Sequence, residues 1–425
     1  MKRNRANDRK VGQNLRVVAR RVAALYKGCA LMFFNIIVMY VVVNVGLGMA
    51  IGIRDLVLQQ GHSGHDPVTA RYGSAALDQV YPNVDRKERE VMLAEVWKPP
   101  FTYSDFNHFR TRPRAGKYVN VSEAGYRESA NQGPWPPAEE HINIFVFGGS
   151  TTYGSGVPDD QTVPSFLQEA FTAHSKKRVC IYNFGVGFYY STQERICLEK
   201  LLMDGYVPNI AIFIDGMNEG DHWENRPTYS HEMEVLFERF GASRSLTDEW
   251  SYWRSVVDVS FQELPIGRAA RYARRRLVPG IDEPLATQNW DGGASVDRVC
   301  ETYFTNKFLI EQLCGRFGVT PIFVWQPSPI YNYDLKYHLF APPDSAPSQM
   351  TFKFENMRAY YPRMRDLHDQ RGEANFIWCA DIQKDRAECL YCDKCHYTGA
   401  FSKVLADYIC QICIERALLD EHLTR

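Results

Sequence analysis

The chain has 425 residues, 45% of them hydrophobic, and a formal net charge of −1. That length supplies a core for one large domain or two average ones. The near-neutral balance leaves no electrostatic footprint for nucleic acid, so no nucleic-acid partner is expected.

In chain order, a basic tail over 1–27 comes first, with Lys2, Arg3, Arg5, Arg9, Lys10, Arg16, Arg20, Arg21 and Lys27 against the single acid Asp8. Residues 28–53, GCALMFFNIIVMYVVVNVGLGMAIGI, then carry no charge at all. As a helix this run is ~39 Å long, enough to cross a hydrocarbon core. The positive-inside rule keeps the N-terminus cytoplasmic and places the rest outside, in the periplasm or on the outer surface. Ala50-Ile51-Gly52 resembles a signal cleavage site, but the apolar run exceeds the core of about 7–15 residues that a signal peptide has. An uncleaved single-pass anchor is therefore expected.

Residues 54–140 read as a juxtamembrane region rather than a second core. Helical patterning around 84–96 is followed by loops punctuated by Pro99, Pro100, Pro113, Pro134, Pro136 and Pro137. From 141 to 425 the texture changes. INIFVF (142–147), VCIYNF (179–184), IAIFI (210–214), TPIFVW (320–325) and the weaker NFIWCAD (375–381) are continuous apolar runs. Helix-like stretches near 162–175 and 192–204 separate the first three. Continuous strands alternating with helices predict an α/β fold, a three-layer α/β/α sandwich on a mostly parallel sheet. The stretch 221–300 interrupts the alternation and reads as a helical insertion over the carboxyl edge of the sheet.

Chemistry in such sheets gathers beyond the carboxyl ends of the strands. The first strand delivers FGGSTTYGSG (147–156), the second NFGVGFYYSTQE (183–194), the third DGMNEG (215–220), and DKCHYTG (393–399) follows the last. No lysine follows the glycines of 147–156 as a phosphate loop requires. The four segments together suit acyl transfer instead. Ser150 is the candidate nucleophile, His396 its base, and Asp393, three residues earlier, the group that orients the imidazole. The backbone N–H of Ser150, a backbone N–H in the 185–188 turn, taken as Gly187, and the side-chain amide of Asn218 are the candidate oxyanion donors. His222, next to Asp221, is a rival base, but without the Asp-x-x-His spacing it is expected to line the site or bind a lid group. Asp215, at the end of a buried strand, is expected to accept hydrogen bonds from loop N–H groups. Glu219 is expected to tie down its loop, and Gln326-Pro327 to form a pocket wall.

On these four motifs the chain resembles the SGNH (GDSL-like) hydrolase superfamily, as a membrane-anchored bacterial-type member, over roughly 142–410. The resemblance implies a flavodoxin-like sheet, metal-free serine catalysis and an ester-bearing substrate, either an acylated carbohydrate or a lipid. Two positions depart from the pattern. Phe188 stands where relatives place the oxyanion glycine, and Asn218 is followed by Glu219 where Asp is usual. With water as acceptor the chemistry is that of an esterase or deacetylase. With a sugar hydroxyl it is an O-acyltransferase acting on cell-surface polysaccharide. A non-catalytic envelope scaffold or glycan-binding protein on the same fold is the third reading.

The run Cys389-x-x-Cys392-x-x-Cys395-His396 resembles a zinc cluster, but the second half of a split knuckle is missing. A disulfide joining Cys389 or Cys392 to Cys379 or another cysteine is the expectation, with no metal and no cofactor.

Overall fold

The computed structural model describes residues 2–61, 73–97, 100–227, 292–340 and 352–419, with 261, 264–267, 269, 270, 273, 290 and 422 besides. The chain divides into two units, Met1–Ser63 with Val235–Glu283, and Gly64–Glu234 with Pro284–Arg425.

The first unit contains the long helix α1 (Lys2–Gly61). Its segment Val18–Ile53 is long and apolar enough to cross a membrane. Asn44, a polar interruption in that segment, has both ends of its amide engaged. Its Nδ2 donates to Tyr40 O one turn back (2.9 Å), and its Oδ1 accepts from Ile266 N–H (3.2 Å). Phe261 stacks on Tyr40 nearby. Most of the expected 221–300 insertion lies outside the described residues, but its positions 261 and 266 pack on α1. A lone amide in an apolar helix needs a partner, and this stretch supplies one.

The second unit opens with two short helices, α2 (Ser74–Val80) and α3 (Arg86–Val96), and a hairpin of β1 (Phe101–Ser104) and β2 (His108–Thr111). The main alternation then runs β3 (Ile142–Gly148), α4 (Ser150–Tyr153), α5 (Val163–Thr172), β4 (Val179–Asn183), α6 (Ser191–Met203), β5 (Ile210–Asp215), α7 (Gly293–Phe317), β6 (Thr320–Trp325), α8 (Phe352–Arg371), β7 (Phe376–Trp378) and α9 (Gly399–Glu415). The five strands pair in parallel in the order β4-β3-β5-β6-β7. All residues of β3, β4 and β5 are buried, which is why these strands read as continuous rather than alternating apolar runs. Helices α5 and α9 pack together, while α6 and α8 each pack on α7. The result is the three-layer α/β/α sandwich in flavodoxin-like strand order. Its topological switch point falls between β3 and β5, and in such sheets the crevice at that point receives the ligand.

Residues 73–140 differ from the juxtamembrane expectation. Leu77, Met92, Leu93, Val96, Val119 and Val121 form a second buried cluster that also takes in Tyr153, Phe340 and Cys392. The α3 face that the 84–96 pattern foreshadows is thus covered by the segments that flank Ser150 and His396 in sequence.

Candidate active site

Strand β3 ends in Gly148 and Gly149, and Ser150 opens the one-turn helix α4. A side chain at Gly148 would run into that of Thr152 and come 2.8 Å from Ile214 O. One at Gly149 would overlap Asn218 Nδ2 and lie 3.2 Å from Tyr189 O. The two glycines therefore let this backbone approach both neighbouring strand ends. At the other side of the crevice, His396 Nε2 lies 2.8 Å from Ser150 Oγ, and His396 Nδ1 lies 2.8 Å from Asp393 Oδ2. The second oxygen of Asp393 accepts the backbone N–H groups of Cys395 (2.8 Å) and His396 (2.7 Å), so the carboxylate is held from two sides.

These contacts set the charge state. Burial pulls His396 down, but the Asp393 carboxylate and the Cys395 sulfur beside it outweigh that and hold the imidazole well above its ordinary 6.5. Burial pushes Asp393 up, yet the His396 charge and the hydrogen bonds to both its oxygens keep it below 3.8.

The oxyanion candidates meet at the same crevice. Asn218 Nδ2 donates to Tyr189 O at 2.7 Å, which ties the β5 loop to the turn after β4. In that turn the N–H of Gly185 goes to Asn183 Oδ1, that of Val186 to Gly148 O, and that of Tyr189 to Val186 O. The N–H groups of Gly187 and Phe188, and that of Ser150, meet no acceptor among the described residues. Phe188 has φ of 70°, the left-handed region that favours glycine. The departure seen in the sequence therefore replaces a residue but keeps the turn.

Several neighbours differ from their expected roles. Both ring nitrogens of His222 face carbonyls, Nδ1 that of Arg226 (2.9 Å) and Nε2 that of Phe188 (3.1 Å). The ring thus braces the Phe188 turn at the edge of the crevice, with neither nitrogen directed at Ser150. Gln326 is buried, and its Oε1 accepts from Thr151 Oγ1 (2.6 Å) and Tyr397 OH (3.1 Å). It is an internal tie between α4 and the His396 loop and not a pocket wall. The side chain of Asp215 faces other acids rather than loop N–H groups. With Glu194 and Glu219 it forms a buried carboxyl cluster. Burial, reinforced by mutual repulsion, drives Asp215 and Glu194 well above their ordinary values. Burial raises Glu219 to about 7, against hydrogen bonds from Ser191 N–H (2.8 Å) and Oγ (2.9 Å) that act the other way. Glu219 does tie its loop, to the start of α6.

All eleven cysteines are free, so the expected disulfide is not formed. The sulfurs of Cys389 and Cys392 lie on the carbonyls of Tyr391 (3.2 Å) and Tyr397 (3.3 Å), local contacts that leave neither facing Cys379. Of the Cys/His run, only Cys395 and His396 converge, and they do so with Asp393.

Two residues of the site had no motif to announce them. Trp97, at the end of α3, packs edge-on against His396 with ring centroids 5.4 Å apart. Arg127 is fully buried, pairs with Asp159 (2.7 Å), and donates to the carbonyls of Tyr153, Gly154 and Val157, each at 2.8 Å. It thereby clamps the loop that follows α4.

No family model matches this chain, and no curated protein does. Among solved structures it is similar to a lipolytic protein of the G-D-S-L family from Desulfitobacterium hafniense, at 9% identity and a TM-score of 0.33, over 64% of this chain and 99% of the other. It is also similar to a psychrotrophic esterase from Pseudoalteromonas sp., at 10% identity and a TM-score of 0.33, over 64% of this chain and 97% of that one. A third is a carbohydrate acetylesterase family member from Sinorhizobium meliloti, at 15% identity and a TM-score of 0.31, over 65% and 99%. At these identities and scores the likeness carries no argument of its own, and the case for chemistry rests on the side chains.

Proposed function

We propose that this chain is a membrane-anchored serine esterase or deacetylase that works through an acyl-Ser150 intermediate. The observation that carries the reading is the continuous chain Ser150 Oγ–His396 Nε2 and His396 Nδ1–Asp393 Oδ2, with 2.8 Å at each link. A hydroxyl is a poor nucleophile until a base takes its proton, and neutral His396 is in reach to take it. Ser150 Oγ then adds to the ester carbonyl. The N–H groups of Ser150 and of Gly187 or Phe188, together with the Asn218 amide, receive the negative charge on the carbonyl oxygen. The imidazolium, steadied by Asp393, returns the proton to the departing alcohol. Water attacks the acyl-enzyme by the same route in reverse, and an alcohol acceptor in its place would make the chain an O-acyltransferase. The substrate on this reading is an ester-bearing carbohydrate or lipid outside the membrane, with α1 as anchor, residues 1–27 cytoplasmic and 141–425 catalytic. That the N–H groups of Ser150, Gly187 and Phe188 meet no acceptor among the described residues favours catalysis over a scaffold role, since a binding module has no use for a nucleophile and a base beside such donors.

The test is turnover of a nitrophenyl acetate ester by the detergent-solubilised chain, with labelling by a serine-reactive fluorophosphonate. Both are expected in the native chain and neither in Ser150→Ala. Turnover that survives Ser150→Ala would refute the reading. Adding oligosaccharide acceptors separates hydrolysis from transfer.

A further inference from the structure

The His396 ring has a further neighbour, Cys395, to which the acyl-transfer route assigns no step of its own. Cys395 Sγ lies 3.7 Å from His396 Nδ1, on the side already occupied by Asp393 Oδ2. The sulfur, the nitrogen and a carboxylate oxygen all lie within 4.8 Å of one another. Neither acidic nor imidazole side chain is sealed off, with His396 14% and Asp393 12% exposed, and Cys395 is half-buried.

We propose that Cys395, His396 Nδ1 and Asp393 Oδ2 form an inhibitory site for a thiophilic divalent cation such as Zn²⁺ or Cd²⁺, with water in the fourth position. A tetrahedral zinc with sulfur at about 2.3 Å and nitrogen at about 2.0–2.1 Å sets those two ligands about 3.5 Å apart. The Cys395–His396 pair already stands at that separation. The carboxylate must open by roughly half an ångström from His396 to admit the ion, because a tetrahedral N–O edge is about 3.4 Å. The backbone N–H groups of Cys395 and His396 hold the other Asp393 oxygen, so Oδ2 stays directed at the ion.

The protons account for inhibition. Cys395 releases its thiol proton to solvent on ligation. His396 gives its Nδ1 lone pair to the metal and carries its one ring proton on Nε2. Nε2 then faces Ser150 Oγ as a donor and cannot accept the hydroxyl proton. The metal thus replaces the Nδ1 proton that the resting pair shares, and it switches off the base without touching Ser150. Chelation restores the original tautomer and the activity.

This inference rests on the esterase reading for its consequence, though not for the binding itself, so the two are measured separately. Binding is read on the full detergent-solubilised chain as the cadmium–thiolate charge-transfer absorption gained on titration with CdCl₂. It is compared between the native chain, Cys395→Ser and His396→Gln. The expected result is one ion in the native chain beyond those retained by Cys395→Ser. His396→Gln should weaken that step by about 10- to 100-fold or more, the range that a lost supporting contact already costs a metal site. Inhibition is read as the ZnCl₂ concentration that halves fluorophosphonate labelling and ester turnover, each relative to the same variant's metal-free rate. Cys395→Ser should raise that concentration by a similar factor, and EDTA should reverse the effect. Equal cadmium binding by Cys395→Ser and the native chain would overturn the site, as would binding that leaves serine labelling unchanged in an active chain. Cys395-dependent binding in a chain with no turnover would overturn the esterase reading and leave the metal site standing.

Discussion

Asn218 concentrates the residue-level argument. Its amide is pinned by Tyr189 O at 2.7 Å and sits where only a glycine at 149 leaves room. A donor fixed in this way costs no reorganisation as charge develops on the substrate. Asn218→Ala is therefore expected to lower kcat by about 10²–10³-fold, the usual cost of one oxyanion donor, with a smaller change in KM. Steady-state kinetics on a chromogenic ester check it. His396 gives the second prediction at this scale. The base acts only when neutral, and Asp393 holds its imidazolium well above 6.5. Thus kcat/KM should climb as pH rises through a value above 6.5, and the limb should move to lower pH in Asp393→Asn, where the anion is gone. A limb at or below 6.5 in the native chain would contradict the pairing.

At the scale of elements, the site is a meeting of short segments, each held by something outside itself. Helix α4 is one turn long and has little stability of its own. It is held by Asn183 Nδ2 donating to Thr152 O (3.0 Å), by Gln326 through Thr151, and by Arg127 on the loop that follows. Arg127→Ala would leave Asp159 partly buried without its cation and would take one donor from each of three carbonyls, those of Tyr153, Gly154 and Val157. The expected destabilisation is about 3–5 kcal/mol, read by denaturant unfolding, with slower ester turnover as the loop after Ser150 loosens. The carboxyl cluster behind β5 acts in the opposite sense. Glu219 ionises near its ordinary 4.5 in the unfolded chain but near 7 when folded. The folded state then binds more protons between those values, so the Glu219 contribution to stability falls as pH rises from about 4.5 to about 7 and levels beyond it, and Asp215 and Glu194, raised in the same sense, add to the fall. Glu219→Gln should make the fall shallower in that window, removing a cost of about 3 kcal/mol at pH 8 as judged from the Glu219 shift, while Asp215 and Glu194 keep the remaining slope. A native chain more stable at pH 8 than at pH 5 would contradict the burial of these three acids as a coupled set.

Across the whole molecule, what the sequence made legible follows from how local each signal is. Strands β3 to β6 are continuous apolar runs, of which β3, β4 and β5 end in Gly148, Asn183 and Asp215, and their parallel direction follows from the helices between them. Ser150 and Asn218 were legible because each follows closely on the end of such a run, and Asp393 and His396 because they form a local i, i+3 pair. Trp97 and Arg127 were not. They lie in an irregular, proline-rich stretch whose pattern resembles a linker, and only the fold brings them to His396 and to the loop after α4. The carboxyl cluster was hidden for a related reason, since Glu194, Asp215 and Glu219 belong to an adjacent helix, a strand end and a loop. The pairing of Asn44 with Ile266 spans 222 positions and leaves no local trace. Phe188 is the instructive case in between. The sequence marked the departure, and at a φ of 70° phenylalanine holds a strained backbone that favours glycine, braced by His222 on the Phe188 carbonyl.

The acyl group itself gives the most direct measurement. The full chain is mixed with an activated acetate ester, quenched in acid during turnover, digested and mapped by mass. The expected result is acetyl on the peptide that contains Ser150, absent from Ser150→Ala and accumulating far more slowly in His396→Ala. Steady turnover with Ser150 unmodified, or acetyl carried on Cys395 instead, would contradict the assignment of Ser150 as nucleophile.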